Sequence, residues 1–325
     1  MAEGDDWVIP PPAQPKADDV GFDLERALSS VVLLRAHIPD DAFTASILGT
    51  ERVGNGVVIG GDGLVLTIGY LITEAETVWL VANDGTTVQA HVVGYDQTSG
   101  LGLVQALGRL GAPAMDLGSS GDTRIGDHIV VAGHGGRRHS LSGQVLSKRE
   151  FAGYWEYVLD EAIFTVPPHP NWGGAALIGA DGSLRGIGSL LVQEVHEGGP
   201  PRDGNMFVPI DLLDPILDDM LKFGKVDRPP RPWLGMFTMD TDAGLVVTGL
   251  ARSAPAHKAD VEVGDVVVRV ADTPVADLAD MFRKIWSLGP AGTVIPLTLS
   301  RDGHELRIDV PSADRNAFLK SPGLH

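Results

Sequence analysis

The chain has 325 residues, of which 43% are apolar, with 41 glycines, 22 prolines and no cysteine. This length and density of turn-forming residues predict two domains built mainly of short β-strands. The lack of cysteine excludes disulfides, thiolate catalysis and Cys-based zinc sites, and a formal net charge of -18 disfavours nucleic acids and anionic lipid surfaces as partners.

The N-terminal residues 1–24 are acidic and rich in proline, a composition that predicts a flexible arm. Residues 1–12 contain neither the basic nor the apolar region of a signal peptide. No run of about eighteen apolar residues, as a membrane-spanning helix requires, occurs in the chain. We therefore expect a cytoplasmic protein without a membrane span, or a periplasmic one if residues preceding Met1 are missing.

Strand patterns begin at residues 30–36 and continue with a strong hairpin signal. Two β-branched runs, residues 53–59 and 64–67, flank the turn Gly60-Gly61-Asp62-Gly63, whose glycines supply positive φ without steric cost. A helix is predicted for residues 211–223 from apolar residues at three- and four-residue spacing, with Pro215 tolerated in its first turn.

Three segments of this β-rich region carry a family resemblance. Residues 171–177 read Asn-Trp-Gly-Gly-Ala-Ala-Leu, residues 66–72 read Leu-Thr-Ile-Gly-Tyr-Leu-Ile, and residues 94–104 contain Gly-Tyr-Asp followed by Gly-Leu-Gly-Leu-Val. They resemble the nucleophile loop, the histidine strand and the aspartate segment of HtrA-type serine proteases. The resemblance implies a trypsin-like double β-barrel over residues 25–223.

The same resemblance implies that the catalytic residue types are absent. The serine position holds Trp172, the histidine position Tyr70 and the aspartate position Gly100, while Asp96 matches a turn residue of the segment. A tyrosine has an ordinary pKa of about 10 and is a poor base at neutral pH. Pro170 stands where the family uses a backbone N–H in the oxyanion hole, and proline has none.

Residues 224–230 form a polar, proline-rich linker. The segment that follows, residues 231–312, resembles a PDZ domain, in which backbone N–H groups of one loop bind a peptide carboxylate and the peptide adds as a strand. The resemblance assigns peptide binding to seven residues: Trp233, Leu234, Gly235, Met236, Phe237, Met281 and Ile285. Some of these side chains could instead fill the domain core, and for Ile285 the two roles are equally supported. Residues 313–325 remain as a tail.

We therefore predict a mainly β, HtrA-like protein that lacks the triad and captures protein C-termini through its PDZ domain. It would act as a scaffold or regulator, as a homotrimer or a mixed oligomer with active relatives. No cofactor or metal is expected, because His134 and His139 are too few for a metal site and His169 between two prolines is read as structural. The alternatives are an active serine endopeptidase or other hydrolase with relocated residues, and an oligomer whose peptide groove is filled by its own tail.

Overall fold

The computed structural model describes residues 7–195 and 202–320, and these form two compact units. The first unit contains residues 7–149, 161–195 and 202–226. The second contains residues 227–320 together with residues 150–160. The mainly β fold predicted from the turn density is confirmed, because most elements of both units are strands.

The first half of the first unit is a closed six-stranded antiparallel barrel with strand order β1-β2-β3-β6-β5-β4. Every residue of β3 is buried, because this strand lies inside the unit and its neighbours cover both of its faces. The strands are β1 (Val31–His37), β2 (Glu51–Val58), β3 (Leu64–Ile68), β4 (Thr77–Val81), β5 (Thr87–Tyr95) and β6 (Leu101–Ala106). Two short helices, α1 (Leu24–Ser29) and α2 (Ala45–Leu48), precede β1 and β2.

The second half is another closed barrel, with strand order β10-β11-β12-β9-β8-β7. Its strands are β7 (His128–Ala132), β8 (Ser140–Gly153), β9 (Tyr157–Val166), β10 (Ala176–Ile178), β11 (Leu184–Val195) and β12 (Arg202–Pro209). Helix α3 (Asp214–Phe223) follows the barrel. Pro215 lies in its first turn, where a missing N–H costs least, and Gly224 ends it in the left-handed conformation.

The second unit is built on a sheet with strand order β13-β14-β15-β17-β18, with the short strand β16 paired to β15. The strands are β13 (Met236–Thr241), β14 (Gly244–Leu250), β15 (Val266–Val270), β16 (Thr273–Pro274), β17 (Val294–Arg301) and β18 (His304–Pro311). Helices α4 (Pro255–Lys258) and α5 (Leu278–Ser287) complete the unit. The side chain of Asp277 caps α5 by accepting a hydrogen bond from the N–H of Asp280, and the apolar face of α5 is buried in the core.

Two features of this architecture differ from the sequence-based prediction. The arm predicted to be flexible over residues 1–24 is packed in its described part, because Ile9 is buried in the core of the second barrel and its N–H donates to the carbonyl of Arg138. Residues 1–6 lie outside the described residues, as do residues 321–325 of the predicted tail. The end of the β8–β9 hairpin, residues 150–160, belongs to the second unit, although we assigned it by sequence to the barrel.

The loop before β10 is fitted closely against β2. Gly174 has φ +73°, and a Cβ atom at this position would lie 1.9 Å from the carbonyl oxygen of Asn55. Real Cβ atoms do not approach a backbone oxygen so closely, so the loop can take this path only with glycine at 174.

We predict that Gly174→Ala destabilises the protein by about 3 kcal/mol or more, because left-handed strain of about 1–2 kcal/mol adds to a backbone clash. Gly85→Ala is the matched control: Gly85 has φ +87° and no atom within 4 Å of the added Cβ. Urea unfolding followed by tryptophan fluorescence measures both losses. Equal losses for the two variants would contradict the close fit of the loop on β2.

Candidate functional site

The loop of residues 170–174, which the sequence resemblance aligns with a nucleophile loop, is held by one buried asparagine of β2. The side-chain N–H₂ of Asn55 donates to the carbonyl oxygens of Asn171 at 3.0 Å and of Gly173 at 3.1 Å. Its side-chain oxygen accepts from the N–H of His134 at 2.9 Å, and its own N–H donates to Gly173 at 2.8 Å. Asn55 thereby joins the first barrel to two loops of the second.

Tyr70 and Trp172 meet at this loop. The Tyr70 hydroxyl donates to the carbonyl oxygen of Ser189 at 2.9 Å and is hydrogen-bonded by the side chain of Trp172. An indole N–H can only donate, so the hydroxyl accepts from Trp172. Burial raises the pKa of Tyr70 above its ordinary value, and the bond from Trp172 opposes the rise only in part. Tyr70 is therefore neutral at physiological pH.

Gly100 lies beside the turn that carries Tyr70. Its carbonyl oxygen accepts from the N–H of Gly69 at 2.7 Å, and its φ of +80° is one that glycine adopts without strain. Asp96 caps the turn of residues 96–100 that contains Gly100, because its carboxylate accepts from the N–H of Ser99 at 2.8 Å. The structure thus brings the sequence-predicted positions 70, 100 and 172 to one region, and Asp96 is used locally.

The buried side chain of Arg52 stabilises the backbone of the turn that carries Tyr70. Arg52 donates to the carbonyl oxygens of Tyr70 at 2.7 Å and Thr73 at 3.0 Å, and to the hydroxyl of Thr44 at 2.7 Å. Burial lowers the pKa of Arg52 to about 10 against the opposing charge of Glu74, so Arg52 stays charged at neutral pH. Glu74 accepts from the N–H and hydroxyl of Thr44, which closes the network.

His169, three residues before Trp172, is a structural residue as the sequence predicts. Its side chain is fully buried, with Nε2 2.9 Å from the carbonyl oxygen of His139 and Nδ1 accepting from the N–H of Asn171 at 3.1 Å. Because Nδ1 accepts, Nε2 carries the proton and the ring is neutral. Burial lowers the pKa of His169 further, so the imidazole is fixed by the backbone and does not face a substrate.

Trp172, Tyr70 and Pro170 line an open cleft of about 380 Å³. Acyl transfer needs a nucleophile, a base within hydrogen-bond reach of it, and N–H donors for the oxyanion. The groups that the sequence resemblance aligns with these roles are the indole of Trp172, the neutral phenol of Tyr70 and Pro170, which lacks an N–H. Within residues 7–195 and 202–320, no three His, Asp or Glu side chains are grouped so that they could hold a metal ion.

The second candidate site is the loop that leads into β13. The N–H groups of Leu234 and Gly235 point to one carboxylate oxygen of Glu156, at 3.2 and 3.0 Å. Gly235 has φ +69°, and an added Cβ would lie 2.3 Å from the Cβ of Ala254, so the loop requires glycine there. Leu234 and Gly235, which the sequence resemblance assigns to carboxylate binding, thus donate to a side-chain carboxylate of this same chain.

The remaining predicted peptide-binding residues divide into three groups. Leu234, Met236, Met281 and Ile285 are buried in the core cluster of the second unit, which also contains Val158. Phe237 contacts Tyr154 edge to face, with 5.9 Å between ring centroids. Trp233 pairs its backbone with Ala313 and packs its ring on Phe318 at 4.9 Å.

Sequence reasoning missed Asn55 and Glu156. The sequence did mark Asn55, because it is a polar residue between two glycines in the otherwise apolar run of residues 53–59. No sequence pattern marked Glu156, because its hydrogen-bond partners lie 78 and 79 residues further along the chain and no spacing rule links residues so far apart.

Comparisons with known proteins agree with this geometry. Residues 54–187 match the trypsin-like peptidase domain family and residues 232–311 match the PDZ domain family. A solved structure, an HtrA-type protease AlgW with a decapeptide, superposes with a TM-score of 0.52 over 92% of this chain and 98% of that one, at 20% identity. At this identity the superposition supports the fold alone.

Two curated relatives are similar over most of this chain. A probable periplasmic serine endoprotease DegP-like from Pseudomonas putida is 26% identical over 273 residues, 80% of this chain and 55% of that protein. Serine endoprotease DegS from Salmonella typhimurium is 24% identical over 281 residues, again 80% of this chain and 76% of that protein. The chain thus spans only about half the length of the DegP-like relative.

These relatives contradict the expected cytoplasmic location, because the DegP-like proteins are described as periplasmic. That expectation rested on the composition of residues 1–12, and the lack of a leader pattern does not identify a compartment. None of the described helices is both long and apolar enough to cross a membrane. The chain therefore matches a trypsin-like peptidase domain followed by a PDZ domain, and it is similar to the DegP-like and DegS endoproteases over most of its length.

Proposed function

We propose that this chain binds the C-termini of other proteins through its PDZ domain and does not hydrolyse peptide bonds at its trypsin-like site. It would act as a scaffold or regulator among HtrA-like proteases. The periplasmic description of its DegP-like relatives leads us to propose the same compartment for this chain. Its assembly as a homotrimer or with active relatives stays a prediction.

One observation carries the non-catalytic part of the proposal: the hydrogen bond from Trp172 to a neutral Tyr70. At the nucleophile position an indole offers no nucleophilic atom, and at the base position a phenol with a raised pKa cannot accept a proton near pH 7. Loss of a triad serine or histidine in a serine protease costs on the order of 10⁶-fold in turnover. The Asn55 bonds would keep the loop in place without any catalytic residue on it.

The binding part is supported by the donors of Leu234 and Gly235, which already bind a carboxylate in this structure. A carboxylate that accepts several backbone N–H groups forms charge-assisted bonds, which are stronger than neutral ones. The α-carboxylate of a protein C-terminus offers the same acceptor atoms. Side chains of its last residues would pack against the apolar surface beside Phe237 and helix α5.

The first test is reaction with a fluorophosphonate probe, which labels activated serines. We expect no labelled residue and no cleavage of casein by the purified chain, because no serine is paired with a base at the site. Ser189→Ala is the matched variant, since the carbonyl oxygen of Ser189 accepts from Tyr70 and this buried serine is thus part of the same site. Labelling or cleavage that this substitution abolishes would refute the proposal and favour the hydrolase alternative.

The second test is peptide binding by fluorescence anisotropy. A labelled decapeptide that ends in valine with a free α-carboxylate should bind at least about tenfold more tightly than its C-terminal amide, because the amide loses the charge-assisted bonds to Leu234 and Gly235. Equal affinity for acid and amide would show that this loop does not select C-termini.

A further inference from the structure

We propose that the hairpin end of residues 150–160 is an internal ligand of the PDZ domain, and that a protein C-terminus binds only after it displaces Glu156 from the carboxylate loop. This inference rests on the proposed function, because it describes the regulation of the same site. It differs from the tail-filled groove considered above, since the occupying segment comes from the β8–β9 hairpin.

The carboxylate of Glu156 occupies the donors that a peptide would need. Its Oε1 accepts from Leu234 at 3.2 Å and from Gly235 at 3.0 Å, and Met236 contributes a further backbone bond. Each N–H group has one proton to donate, so Glu156 and an α-carboxylate cannot hold the same donors together. Binding of the two is therefore competitive.

The hairpin also fills apolar space that the sequence assigned to a peptide side chain. Val158 is buried in the cluster that contains Leu234, Met281 and Ile285. Tyr154 covers Phe237, the residue at which a peptide strand was expected to pair. A segment that supplies both a carboxylate and an apolar side chain imitates the two features of a PDZ ligand.

The contacts that hold the hairpin are suited to reversible docking. Arg283 of α5 pairs with Asp160 at 2.6 Å and with Glu150, and Arg315 donates to the carbonyl oxygen of Trp155 at 3.1 Å. The Arg283 pairs lie at the surface, and such ion pairs are each worth at most about 1 kcal/mol. Glu156 itself has φ +66°, a conformation that residues other than glycine seldom adopt without support from contacts. Release of the hairpin would relieve this strain.

The protonation of Glu156 makes docking of the hairpin depend on pH. Burial raises the pKa of Glu156 to about 7 from an ordinary 4.5, although Arg315 and the N–H groups of residues 234–236 oppose the rise. Because the docked carboxyl has the higher pKa, docking is strongest below about pH 4.5 and weakens as the pH rises through about 7.

The test measures affinity of the full chain for the labelled valine-terminated decapeptide described above. Glu156→Ala removes the carboxyl group that accepts from Leu234 and Gly235, so the internal ligand weakens and the peptide should bind about ten- to a hundredfold more tightly than to the unmodified protein. Glu161→Ala is the matched control, because Glu161 is a largely exposed acid of the adjoining strand paired with Lys148 at 3.0 Å. The control should bind the peptide as the unmodified protein does.

The outcomes separate this inference from the proposed function. If the unmodified protein and Glu156→Ala bind the peptide equally, competition is refuted while peptide capture stands. If no form binds the peptide, both fail. A second measurement needs no substitution: saturating peptide should increase hydrogen–deuterium exchange in residues 150–160 of the unmodified protein, and unchanged exchange under saturation would also overturn the inference.

The pH dependence gives a separate prediction. Between pH 6 and 8 the apparent dissociation constant of the unmodified protein should fall about tenfold, because the docked Glu156 loses its proton in this range. An α-carboxylate has an ordinary pKa of about 3.3–3.7, so the peptide contributes little to the change. In Glu156→Ala this fall should disappear, and a fall that persists in the variant would mean that another group is responsible.

Discussion

The buried side chain of Asn55 is the interaction on which the barrel site depends. It satisfies two carbonyl groups of the loop at 171–173 and one N–H of the loop at 134, and it is itself fully buried. Leaving such buried polar groups without partners costs about 1–3 kcal/mol each. The path of the loop is thus set by bonds from β2 to its backbone. These bonds do not involve the side chain at position 172.

This explains why a protease-like loop can persist around a tryptophan. Gly174 is required because the carbonyl of Asn55 occupies the space where a Cβ would stand, and Gly173 is confined by the hydroxyl of Tyr70, 2.8 Å from its ideal Cβ position. Packing between the barrels therefore explains why glycine occurs at both positions, and the presence of a nucleophile is not needed to explain it. The bonds from Arg52 to the Tyr70 turn similarly fix the backbone whatever side chain the turn presents.

In the PDZ domain, by contrast, the backbone N–H donors of the carboxylate loop already have an acceptor, the side chain of Glu156. A carboxylate-binding loop of three N–H groups with no acceptor would leave polar groups unsatisfied, and Glu156 removes that cost from within the chain. The hairpin end therefore has a stabilising role in this structure whether or not it also competes with a partner. Ordering the loop in advance also lowers the entropy that a ligand must lose on binding.

Sequence by itself determined the mainly β class, helix α3 and the residue types at positions 70, 100, 170 and 172, because turn chemistry, periodicity and motif order are local properties. The flexible arm predicted for residues 1–24 is wrong in its described part, since Ile9 is buried through contact with residues 129–207 of the second barrel, far along the chain. Only the tertiary structure decided that Asn55 holds the loop and that Glu156 fills the carboxylate site. Both are hydrogen bonds between residues 78 or more positions apart, and only the folded chain brings such residues together.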